Sequence, residues 1–108
     1  MVIQVTEWKN TPSLSKAAPL DARELYHTTH AQVIHMSLSP DEVIPLHTTP
    51  VDVFFYILEG TGEVQIGEEK KFVDTEVLVE SPANIPHGVK NTGKYTLRFL
   101  VVEVPSPA

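Results

Sequence analysis

The chain has no cysteine, which excludes disulfides, thiolate metal sites and cysteine nucleophiles. Basic residues are few: 8 Lys and Arg stand against 14 Asp and Glu, for a formal charge of -6. They are scattered, whereas phosphate backbones are held by clustered cations, so nucleic acid is not an expected partner. No apolar run approaches the ~18 residues of a membrane helix, so no membrane contact is expected. The opening MVIQVTEWKN lacks the basic start and apolar block of a secretory leader, and the expected location is the cytoplasm. Nothing repeats at a fixed period and nothing is low in complexity. Helix signals are scarce too. DARELYH (21–27) is the only helix-compatible stretch, and it is too short to stand without packing.

What the chain has instead is strand. VIQVTEW (2–8) is rich in β-branched residues, and a proline-containing loop follows it, so residues 1–30 read as an N-terminal strand and loop. From residue 31 the signal strengthens: AQVIHMSL, VDVFFYIL, EVQI, KFV, EVLVE and YTLRFLVVEV are separated by turn-rich SPDE, EGTG, GEEK and SPANIP. Short strands at this spacing predict an all-β barrel or sandwich. Its core is expected over residues 31–104. At 108 residues one domain, 1–108, is expected. It can bury roughly two-thirds of the surface that its unfolded chain exposes, enough to fold without a staple. A binding pocket in such a fold lies in the mouth of the barrel.

Five histidines are the candidate chemistry. His27 and His30, in YHTTH, read as surface-loop residues with no carboxylate beside them. His35 lies mid-strand, where alternation puts Val33, His35 and Ser37 on one face and Ile34, Met36 and Leu38 on the other. Two arrangements stay open: the His35 face meets water, or it lines a polar pocket. His47 and His87 each follow a proline-stiffened approach (IPLH, IPH) that positions a side chain well.

The spacing around these two residues resembles the two motifs of the cupin family. The first would run from Asp41 to Gly60, matching at His47, Gly60 and the run FFYIL; the second would run from Glu76 to Asn91, matching at Pro82, His87 and Asn91. On these motifs the chain is identified as a small single-domain cupin with an RmlC-like jelly-roll barrel, the double-stranded β-helix. Three motif glycines are replaced, by Asp41, Glu76 and Asn84. Asp and Asn tolerate positive φ best among the other residues and suit such turns, whereas Glu does not.

The resemblance implies a metal site of three His and one Glu, but Thr49 stands in the second His place and Val53 in the Glu place. A valine cannot ligate, a neutral hydroxyl is a weak donor, and two imidazoles fall short of the three protein ligands usual in a catalytic site. Asp52 beside Val53 points to the opposite face. His35 is therefore the candidate third ligand to His47 and His87.

The leading reading is a small-molecule pocket, lined by Thr49, Val53, Phe55, Ile57 and Asn91, with a reduced site for one divalent ion (Zn, Ni, Fe or Mn), weak or absent. Two alternatives stay open. One is a metal-free isomerase or epimerase, with His47 or His87 moving protons and Tyr56 or Tyr95 as the acid. The other is a non-catalytic ligand-binding or regulatory module. No catalytic residue is assigned. The strand FFYIL is apolar on both faces, so its outer face is expected to meet a second subunit, with VIQVTEW as an exchanged strand in a homodimer.

Overall fold

The computed structural model describes residues 2–14 and 20–107. Nine strands follow one another: β1 (Asp21–His27), β2 (Gln32–Leu38), β3 (Val43–His47), β4 (Asp52–Glu59), β5 (Gly62–Ile66), β6 (Glu69–Val73), β7 (Leu78–Ser81), β8 (His87–Asn91) and β9 (Leu97–Val104). They form two antiparallel sheets, one ordered β1-β2-β9-β4-β7 and the other β3-β8-β5-β6. This is the all-β architecture that the strand spacing predicts, in the jelly-roll form that the resemblance implies. Pro45, which cannot donate to a ladder, falls on β3, an edge strand, where that loss is tolerated.

The core lies between the two inner faces. Leu38, Phe55, Ile57, Val64, Leu97 and Phe99 are buried there. Period-two alternation accounts for most of it: on β4, Val53, Phe55 and Ile57 point inward, and Phe54, Tyr56 and Leu58 point out. Register across the sheet sets Val53 opposite Glu103, and Phe55 opposite Val101.

The turns explain the motif departures. Asp41, Asn84 and also Glu76 adopt left-handed backbone, with φ of 69°, 65° and 69°. The structure thus places Glu76 in a conformation that its side chain does not favour. Its N–H donates to Ile57 O at 2.8 Å, which fixes the turn. Gly60 keeps its glycine for a plain reason: φ is +90°, and a Cβ there would stand 2.6 Å from Thr96 O.

Two expectations are corrected. DARELYH, read as part of the N-terminal loop, is strand β1: seven residues cannot sustain a helix alone, and pairing with β2 wins. VIQVTEW is not a strand: residues 2–7 lie outside regular structure and Trp8–Asn10 form a 3₁₀ turn. The turn is held by Arg23, whose Nη1 donates to the carbonyls of Trp8 and Lys9 at 2.9 and 3.0 Å. The Trp8 ring lies flat on the His35 ring, with centroids 4.2 Å apart.

Candidate functional site

A cavity of about 260 Å³ opens between the sheets at the end where β3 and β8 meet β4 and β9. Its walls are mostly apolar, among them Ile34, Met36, Ile44, Phe55, Val89 and Val101, and Leu20 closes one side. Four side chains bring polar atoms to it: His47, Thr49, His87 and Glu103. His47 and His87 are register partners on the antiparallel pair β3–β8, which is why residues far apart in sequence stand together.

The two imidazoles belong to one chain of hydrogen bonds. His47 Nδ1 lies 3.0 Å from Pro45 O, which can only accept, so Nδ1 carries the proton and Nε2 of the neutral ring is an acceptor. His87 Nε2–H donates to His47 Nε2 across 3.2 Å. His87 Nδ1 in turn accepts from the Ser81 hydroxyl at 2.8 Å. Burial holds the His87 pKa below its usual value, and the charge of His47 pushes the same way. Phe55 meets the His87 ring edge-on, with centroids 5.4 Å apart, and fixes its tilt.

Glu103, which no sequence motif singles out, is the fourth polar group. It is 9 % exposed, and burial raises its carboxyl pKa, offset in part by His47 and then His27. The register places it beside Val53, the position from which the expected glutamate is missing. A carboxyl is therefore present in the cavity, on the neighbouring strand. The signal was in YTLRFLVVEV: alternation puts Leu97, Phe99, Val101 and Glu103 on one face, a carboxyl in an otherwise apolar row.

Of the other expected pocket residues, Thr49, Val53 and Phe55 line the cavity, and Thr49 Oγ1 donates to Val51 O at 3.3 Å. Ile57 shares the face of Val53 and Phe55 but lies deeper, packed into the core. Asn91 is fully buried elsewhere: Nδ2 donates to Leu38 O and Tyr95 O, each at 2.9 Å, and Oδ1 accepts from Gly93 N–H. It ties β8 to the turns before β3 and β9, an architectural task. His27 and His30 are exposed at the β1–β2 turn.

His35 does not join His47 and His87. Ile34 and Met36 take the cavity face of β2, so His35 points to the outer face. It meets neither water nor a pocket. It is 1 % exposed, covered by Trp8, and its Nε2 accepts from Arg98 Nη1 at 2.9 Å. Tyr56 points outward and Tyr95 is 81 % exposed, so neither can act as an acid in the cavity.

The donor set does not fit a resident metal ion. It consists of two imidazoles already bonded to each other, a threonine hydroxyl and the Glu103 carboxyl on the neighbouring strand, and these do not converge: no group of three His, Cys, Asp or Glu suited to an ion occurs among the described residues.

The cupin domain family matches residues 34–103, which span both motifs and the cavity. The chain belongs to the cupin family. An uncharacterized protein of Methanocaldococcus jannaschii is 29% identical to this cupin, over 97% of this chain and 89% of that one. Two solved structures share the fold: TT1209 from Thermus thermophilus (TM-score 0.84, 24% identity, 97% of this chain and 100% of that one) and KdgF from Halomonas sp. (TM-score 0.87, 14% identity, 97% and 96%). No helix among the described residues is long and apolar enough to cross a membrane.

Proposed function

We propose that this cupin binds one small organic molecule in its barrel without a resident metal ion, and that it does so as a homodimer. The observation that carries this reading is the make-up of the cavity: apolar walls around two imidazoles that satisfy each other. At about 260 Å³ the cavity falls just below the ~300–1,000 Å³ of pockets for drug-sized ligands, so the ligand is small and mainly apolar. Any divalent ion is held weakly, because the family's second His and its Glu are Thr49 and Val53.

The test is metal content. Untagged protein purified without chelators should carry far less than one ion per chain, and Zn, Ni, Fe or Mn should not raise its melting temperature. The variant Thr49→His supplies a third imidazole, and it alone should gain thermal stability from Zn or Ni. Stoichiometric metal in the natural protein would overturn the metal-free reading.

The hydrogen-bonded series Ser81–His87–His47 favours a second reading, proton transfer on the bound molecule, as in an isomerase. Deuterium appearing in a bound ligand's carbon positions in heavy water, lost in His47→Gln, would support it. Binding without exchange would leave a ligand-binding module.

A further inference from the structure

The hydrogen bonds of the cavity, counted group by group, leave one side chain over. The His47 Nε2 lone pair is used by His87, the His87 Nδ1 lone pair by Ser81, and the Thr49 hydroxyl proton by Val51 O. Glu103 has no such partner: among the described residues its carboxyl makes no hydrogen bond and no ion pair at salt-bridge distance, although it is more than nine-tenths buried and lines the cavity. The carboxyl of this 9 % exposed residue has no protein partner, and its oxygens are not fully enclosed, so a molecule that enters the cavity can pair with it.

We propose that Glu103 is the ligand-orienting group of the cavity, donating a hydrogen bond as a neutral carboxylic acid to the oxygen of a small, apolar carbonyl compound. This inference rests on the metal-free cavity read above. The chemistry selects the carbonyl over the amine. An ammonium ligand would need the ionised carboxylate and would take a second charge out of water, where desolvation can exceed the Coulombic gain. A carbonyl needs only the acid form, which burial already favours. The apolar walls then cover the rest of the molecule, and Val53 leaves the space beside Glu103 free of any competing donor. A purely apolar ligand would leave the carboxyl unpaired.

Three probes of one shape separate these cases: acetophenone, 1-phenylethylamine and ethylbenzene. Their binding is read from methyl resonances of Ile44, Val53, Val89 and Val101. The natural protein should prefer acetophenone to ethylbenzene by about 3- to 10-fold, the worth of one hydrogen bond. Glu103→Gln, which keeps an N–H donor, should retain most of that preference, and Glu103→Leu should abolish it without weakening ethylbenzene. A preference for the amine, or an unchanged ketone preference in Glu103→Leu, would overturn the proposal while leaving the cavity reading intact. Failure of all three probes to bind would overturn both. If Glu103→Leu does not fold, a carbon-13 titration of the Glu103 carboxyl in the natural protein decides. A carboxyl still protonated at the pH of the binding assay, whose midpoint rises further with acetophenone, supports the neutral acid; one that is ionised at that pH, or whose midpoint acetophenone does not move, overturns it.

Discussion

Glu76 holds a left-handed backbone conformation in which its Cβ is crowded, and its turn is fixed by a backbone N–H rather than by the side chain. Glu76→Gly should therefore raise stability by up to about 1 kcal/mol, read as a higher urea midpoint at unchanged slope. A fall would mean that the glutamate makes a compensating contact. Asn91 lies at the other extreme. Asn91→Ala leaves two carbonyls short of a donor and the Gly93 N–H without its acceptor, and should cost about 1–3 kcal/mol with ligand binding otherwise intact. How much of the sequence could be read differs between such residues for physical reasons. Asp41 and Asn84 were legible as turn residues because their short polar side chains tolerate positive φ; Glu76 was not, because glutamate carries no such signal. Thr49 and Val53 were legible through the motif around them. Glu103 escaped because a single carboxyl in a strand looks like a solvent-facing residue until its neighbours' facing is known.

Among the elements, the 3₁₀ turn at Trp8–Asn10 has the clearest pH consequence. His35 must be neutral to accept from Arg98, and burial, followed by the charge of Arg98, lowers its pKa from 6.5. Asp21 opposes the shift and Arg23 adds to it, Lys9 and Arg23 flank the covering Trp8 ring, and Glu59 pairs with Arg98 from β4. Just below pH 6.5 the unfolded chain binds a proton at His35 that the folded chain refuses. Stability is thus fully present above 6.5 and falls as the pH drops. His87, shifted in the same direction, adds to the effect. Trp8→Ala should cost about 2 kcal/mol at pH 7.5, and should flatten the loss between pH 7 and pH 5 because His35 regains water. Chemical denaturation at the two pH values checks this; an unchanged pH slope would show that the stack does not control His35. The strands themselves were legible from alternation, β2, β4 and β9 above all. Residues 2–8 were misread because their form is set by a partner distant in sequence, the His35 ring under Trp8; residues 21–27 carry no clear alternation and become strand only by pairing with the next strand, β2.

For the whole molecule, an apolar strip crosses the outer face of the five-stranded sheet, bordered by Asp52, Glu80 and Arg98. Phe54, Tyr56, Leu100 and Val102 share it with Leu78 and Val104, which are half exposed, and Val2, Ile3 and Val5 extend beside no strand of their own. A second copy would cover both, so light scattering at micromolar concentration should give twice the 12.0 kDa chain mass. Phe54→Lys, facing out of the barrel, should shift that mass toward one chain without emptying the cavity. A single-chain mass for the natural protein would set the homodimer aside. The place of β9 carries a different consequence. It is the ninth strand in the chain yet the central one in its sheet, bonded along its length to β2 and β4. During synthesis those two strands must wait with open edges until residues 97–104 leave the ribosome, and the wall that holds Glu103 is the last to arrive. Maturation of this barrel is therefore gated by its final segment, and a nascent chain stalled before Leu97 should be the species that chaperones hold and proteases find.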